Sequence, residues 1–241
     1  MMMAMAWGAI AASALLVGFL LSGRGLSNRI VGLVTGFGCG ALISAIAYEL
    51  VPEADMIENA AQMSLWFAVG ALVFFVGDEL IERGGGAHRK HIAGAQPGGS
   101  GAAVFLGTLL DAVPESLILG MSLALGGTIE VAFLVAVFVS NLPEGLAGSV
   151  NLEAAGNSRR KVFWMWFALV GISAVCAGLG YLLITWMPST DGRNAQAFAA
   201  GAMLTMLADV MMPEAYEHGG KLVGLLTAAG FLMTALLTFA G

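Results

Sequence analysis

Charge is what this 241-residue chain lacks: Asp, Glu, Lys and Arg make up 11% of it, against about 25% in an ordinary soluble domain. So few charged groups cannot clothe a water-facing surface, which excludes a soluble globular fold. Cysteine is nearly absent as well. Cys39 and Cys176 each lie inside an apolar run and form no C-x-x-C pair, which argues against a disulfide scaffold or a zinc knuckle; small packing residues are the plainer reading. Basic residues are outnumbered, 10 against 16 acids, for a formal net charge of −6. No basic face for phosphate is available, so nucleic acid is excluded as a partner. What the chain has is apolar bulk, 59% hydrophobic with a mean hydropathy of +0.87. It is an all-α polytopic membrane protein, and its first partner is the lipid bilayer.

About 20 apolar residues cross a bilayer as a helix. Eight such runs are read at about 3–21, 30–50, 63–81, 102–125, 129–150, 162–187, 195–212 and 221–240, in one transmembrane domain covering 1–241. The first lacks a basic leader, so it reads as a spanning helix rather than a cleavable signal. Turn-forming segments separate the runs, among them Ser22-Gly-Arg-Gly25 and the glycine-rich loop 82–101. Arg24, Arg29, Arg83, Arg89, Lys90, Arg159, Arg160, Lys161 and Lys221 fall after spans 1, 3, 5 and 7, leaving Arg193 alone on the other side. Basic loops mark the cytoplasm. Loop 82–101 is therefore cytoplasmic, and both termini lie outside the cytoplasm.

The chain also echoes itself. Span 2 ends in Ala47-Tyr-Glu-Leu-Val-Pro-Glu-Ala54 and span 7 in Ala208-Asp-Val-Met-Met-Pro-Glu-Ala215. These two spans run in opposite directions, which is the signature of an inverted repeat.

Seven of the 16 acids lie within the spans or at their ends: Glu49, Asp78, Glu79, Asp111, Glu115, Glu144 and Asp209. Without them the chain has nine acids against ten bases, so its acidity is concentrated along the spans. An acid near the bilayer centre costs about 3 kcal/mol. No lysine or arginine lies beside these acids within the spans to offset that. Protonation, a wet hydrogen-bonded cavity or a bound cation remain as ways to neutralise them.

Two motifs sharpen the choice. Span 4 carries Asp111-Ala-Val-Pro-Glu-Ser116 and span 5 carries Ser140-Asn-Leu-Pro-Glu-Gly145, each near the middle of its run. Asp111 and Glu115 are i, i+4, as are Ser140 and Glu144, while Asn141 and Glu144 are i, i+3, so each set shares a helix face. Pro114 and Pro143 free the carbonyls of Leu110 and Val139. Carboxylates, an amide, a hydroxyl and freed carbonyls make an oxygen-rich midplane site suited to hard or borderline divalent cations. The plainer alternative is a pair of proline kinks with hydrogen-bonded packing residues.

These motifs resemble those of the ZIP (Zrt-, Irt-like protein) family of divalent-metal transporters, in a divergent form of bacterial type. The family's span-4 pattern is His-Asn-x-Pro-Glu-Gly, and its span-5 pattern is His or Gln, then Asn or Asp, then x-Pro-Glu-Gly. The resemblance implies eight helices, with helices 1–3 and 6–8 as an inverted repeat around 4 and 5. It also implies a homodimer in a bacterial inner membrane, and movement of helices 1, 4, 5 and 6 against 2, 3, 7 and 8 in an elevator-like alternating access. Asp111 and Ser140 stand at the family's nitrogen-ligand positions, Ala112 replaces its Asn, and span 6 has no carboxylate. One transport site of Asp111, Glu115, Asn141 and Glu144, with Ser140 as a weaker member, is therefore expected. Zinc is the implied cargo, with Mn2+, Fe2+, Co2+ and Cd2+ open to an all-oxygen shell; no prosthetic group is expected.

Toward the ends, Asp78 and Asp209 are read as deep residues of an exit path, and Glu49 as a cation-gathering entrance. His88, with His91, is a possible cytoplasmic loop site. Asp209, Glu214, Glu217 and His218 form an exit path or a cytoplasmic metal-sensing cluster, with a solvated helix end as the plainer alternative and the preferred reading of Glu217. The 14 methionines read as packing rather than Cu(I) ligands, and Trp164, Trp166 and Trp186 as interfacial anchors. Two other functions fit the same acids. A proton-driven carrier of another solute would use them as relays. An intramembrane metallohydrolase would need an open metal position and a base, and the chain has no H-E-x-x-H. No enzymatic activity is expected.

Overall fold

The computed structural model describes residues 1–51, 53–83, 101–126, 131–186 and 189–240. Those residues form helices and short turns with no strand among them. Eight helices are long and apolar enough to cross a membrane: Met2–Ser22, Asn28–Leu50, Ala60–Ile81, Gly101–Leu125, Val131–Ala154, Arg159–Trp186, Arg193–Gly219 and Leu222–Ala240. They are called spans 1 to 8. The third helix begins earlier than its apolar run, at Glu53, ten residues before the expected start at 63. Span 7 likewise continues to Gly219, past the expected end. Gly220, at φ +66°, then turns the chain straight into span 8, a conformation that favours glycine.

The spans sort into two four-helix units. Span 1 packs on spans 5 and 6, and span 4 on span 6; span 2 packs on spans 7 and 8, and span 3 on span 7. Exchanging 1 with 6, 2 with 7, 3 with 8 and 4 with 5 reproduces this pairing. The units meet most extensively where span 2 lies against span 5, whereas the related meeting of spans 7 and 4 is slighter. Beside it, spans 3, 4 and 7 enclose an apolar cavity of about 730 Å³ lined by residues such as Phe74, Leu110, Val113, Pro114 and Phe198.

Glycine sets the helix spacing. In four crossings each glycine faces a carbonyl three residues before its partner. Gly18 and Gly145 face Leu142 and Leu15, and Gly120 and Gly180 face Ala177 and Leu117. Gly40 and Gly230 face Thr227 and Phe37, and Gly70 and Gly201 face Phe198 and Phe67. A Cβ at any of the eight would collide with that backbone oxygen. Small residues allow this backbone-to-backbone approach in membranes. The echo noted in the sequence is structural as well: span 2 has a π-turn at Ile46–Leu50 and span 7 one at Leu207–Met211, at matching distances from Pro52 and Pro213.

The core is aliphatic and aromatic, and Met121, Met203, Met206 and Met211 belong to it, in keeping with the packing role. Trp164 and Trp186 are exposed on the perimeter. Trp166 is not an interfacial anchor: it is fully buried, Gly148 lies against its ring, and its Nε1 donates to Ser149 Oγ at 2.8 Å. Helical periodicity explains the difference, since position 166 faces span 5 while 164 faces outward.

Replacing Gly40 or Gly120 by Leu is expected to destabilise the purified protein by more than about 3 kcal/mol, the upper end of ordinary overpacking. Gly224→Leu, where nothing lies within 4 Å of the built Cβ, is expected to be neutral. Thermal unfolding in detergent checks the contrast.

Candidate metal centre

Both proline motifs lie inside unbroken helices, Gly101–Gly126 and Val131–Ala154. Their polar side chains are withdrawn from the surface. Asp111 is 1% exposed, Glu115 2%, Ser140 1%, Asn141 3% and Glu144 7%. The i, i+4 spacing puts each pair on the inward face, and Pro114 turns the opposite face of span 4 toward the apolar cavity.

Asn141 links the two helices, its Nδ2 donating to Glu115 Oε2 at 3.4 Å. That is a long bond, which leaves the amide oxygen as a further acceptor. Ser140 Oγ donates to the Val137 carbonyl at 2.9 Å, so its lone pairs remain directed away from its own backbone. Neighbouring glycines hold this arrangement. Gly38 of span 2 would place a Cβ 3.0 Å from Ser140 Cα, and Gly145, next to Glu144, faces the backbone at Leu15 of span 1. Ser116 and Ala112 complete the buried wall of span 4. The set offers three carboxylates, an amide and a hydroxyl in a membrane interior, where a divalent cation would offset the charge.

The expected residues of spans 4 and 5 are thus each buried, with Glu115 and Asn141 in contact across the two helices. Among the described residues, the group of three His, Cys, Asp or Glu whose ligand atoms all lie within 4.8 Å of one another is Glu214, Glu217 and His218. It closes the end of span 7, with His218 Nδ1 3.2 Å from Glu214 Oε1 and 3.1 Å from the Glu214 carbonyl. Glu217 is itself exposed, and the i, i+3 spacing of Glu214 and Glu217 and the i, i+4 spacing of Glu214 and His218 put the three on one helix face.

The remaining positions diverge. Asp78 is buried, at 8% exposure. Asp209 is exposed and sits on the π-turn of span 7. Hydropathy sets how far along a span a residue lies, not which way it faces, and Asp209 faces away from the packed helices. Glu79 forms an exposed pair with Arg83 at 2.8 Å. Glu49 is partly buried and accepts from Thr238 Oγ1 at 3.0 Å. His88 and His91 lie outside the described residues.

No family model matches the chain. Over 196 residues, 80% of its length, it is 24% identical to an Arabidopsis thaliana protein named "Putative zinc transporter". The match spans 31% of that relative.

Losing one buried carboxylate ligand is expected to weaken metal binding at least tenfold, about 1.4 kcal/mol. Calorimetric titration of purified protein with Cd2+ or Zn2+ checks this, comparing Glu115→Gln with wild type. Glu79→Gln, on the exposed helix end, should leave the affinity unchanged.

Proposed function

We propose that the chain is a ZIP-type carrier that moves a divalent metal, zinc foremost, into the cytoplasm by alternating access. The observation that carries the reading is the buried set of Asp111, Glu115, Asn141, Glu144 and Ser140 on two adjacent spans. Carboxylates at the middle of a spanning helix are costly and mark ion pathways. The named zinc-transporter relative supports the same cargo, and the transporter reading leaves no enzymatic role for the site.

In this reading, metal enters past Glu49 and sheds water into the oxygen set of spans 4 and 5. Small side-chain rotations draw Asp111, Glu115 and Glu144 onto the ion. Release follows toward the basic, cytoplasmic end, where Asp78 lines the route and Glu214, Glu217 and His218 take the metal last. The moving body is the unit of spans 1, 4, 5 and 6, carried against spans 2, 3, 7 and 8. Two observations support such a motion. The four reciprocal glycine crossings lie within a unit, and between units Gly38 of span 2 lies against Ser140 of span 5. The contact of span 2 with span 5 is tight, while its repeat-related counterpart of spans 7 and 4 borders the cavity. Sliding exchanges the two arrangements.

The oxygen-rich shell implies modest selectivity. Uptake of zinc into proteoliposomes is expected to fall at least tenfold in Glu144→Ala and Asp111→Ala, and unchanged uptake in both excludes this site. Asp111→His is expected to raise the preference for zinc over manganese. Selectivity that does not move removes residue 111 from the ligand set.

A further inference from the structure

Spans 2 and 8 cross at Gly40 and Gly230, outside the unit that carries the metal motifs. Beyond this crossing, toward the end of span 2, a second set of oxygens lies between the same two helices. The spans run parallel here: Gly230 faces Phe37 and Ala41, and Glu49 is bonded to Thr238. That register puts Ser44 level with Thr234. Both residues are 0% exposed, and Ser44 Oγ and Thr234 Oγ1 have no hydrogen-bond partner. Buried hydroxyls are ordinarily satisfied.

The π-turn decides where Glu49 lies relative to them. In a regular α-helix, five residues carry a side chain about 140° round the axis from its starting face. The π-turn at Ile46–Leu50 adds a residue to that turn and brings Glu49 back toward the face of Ser44. Thr234 and Thr238 are i, i+4 on span 8. Glu49 and Thr238 are hydrogen-bonded, and the register sets Ser44 and Thr234 at one level a turn earlier. A π-turn also disturbs the regular carbonyl pattern, and such irregular backbone recurs at functional sites and at cation sites in carriers.

We infer that Ser44, Glu49, Thr234 and Thr238 form a binding site for a monovalent alkali cation of sodium size, separate from the divalent-metal centre. Three hydroxyls and one carboxylate are hard oxygen donors. A single carboxylate matches one positive charge, whereas sites for calcium or magnesium draw on more acidic donors. A proton alone would use one carboxylate oxygen and leave Ser44 and Thr234 without a role. The glycine crossing next to the site keeps the helices close, which favours a small ion over potassium. Tyr48, one turn beyond Ser44, packs edge-on against Phe239 and tilted against Phe231 on the outer side of the same two helices. The repeat-related positions carry Thr205, Val210, Phe74 and Asp78, and Thr205 Oγ1 is bonded to the Gly201 carbonyl at 3.0 Å. The same backbone without this oxygen ladder shows that the ladder is not a by-product of the crossing. Arg193 is the basic residue at this end, and the test includes it.

The test is thermal unfolding of the full chain in detergent at fixed pH and ionic strength, exchanging choline chloride for sodium, lithium or potassium chloride. Wild type is expected to gain about 3 °C at tenfold saturation with sodium, and less with potassium. Glu49→Gln and the pair Ser44→Ala with Thr234→Val are expected to lose the sodium response. The hydroxyl pair exchanges unsatisfied groups for apolar ones and should fold. Asp111→Asn and Arg193→Gln are expected to keep the response. That separates the site from the divalent centre and from a guanidinium partner of Glu49. A wild type equally stable in sodium and choline overturns the inference. So does a sodium response that survives the Ser44→Ala, Thr234→Val pair, or one that vanishes in Arg193→Gln.

Discussion

Among the described residues, four reciprocal pairs of glycines bring two helix backbones together, each glycine seated against a carbonyl of the other helix. Lipid gives helices no hydrophobic reason to associate, so close approach with van der Waals and Cα–H···O contact has to hold them. The four crossings bind span 1 to 5, 4 to 6, 2 to 8 and 3 to 7. They therefore define the two units, and they fix the levels at which polar residues meet. Gly145 is the clearest case. It lies beside Glu144, and its lack of a side chain lets span 1 press against the backbone that carries the acid.

That rigidity is what makes buried acids tolerable. Asp111, Glu115 and Glu144 are withdrawn almost completely from the surface, where an unneutralised carboxylate is expensive. The oxygens of Asn141 and Ser140 enrich the same site, and Asn141 ties Glu115 to the facing helix. In the proposed function a divalent cation offsets that charge, and the tight seat of span 5 on span 2, set against the apolar pocket beside spans 3, 4 and 7, is where the unit holding the acids is proposed to shift.

Much of this was legible from the residues. Eight apolar runs separated by basic or glycine-rich turns became eight helices, because length and hydropathy dominate in a bilayer. The Pro-Glu-Ala echo anticipated the paired π-turns. The burial of Asp111, Glu115, Ser140, Asn141 and Glu144 followed from i, i+4 spacing. Facing direction was harder to read. Trp166 was taken for an anchor because it lies near a span end, yet it points into span 5 and bonds to Ser149. Asp209 lies exposed on a π-turn, whose shift of phase no 3.6-residue count anticipates. The crossing glycines are 8 of 34, and only the packed helices distinguish them from the rest. The ladder of Ser44, Glu49, Thr234 and Thr238 joins residues nearly 190 apart in sequence and needed the fold to become visible.

The central claim is that spans 4 and 5 hold a divalent metal through oxygen ligands. Anomalous diffraction from crystals soaked in zinc or cadmium tests it most directly. The account predicts a peak between the two proline motifs, within coordination distance of Glu115, Glu144 and Asp111 or Asn141. Peaks confined to the helix ends, with nothing between these motifs at saturating metal, would contradict it.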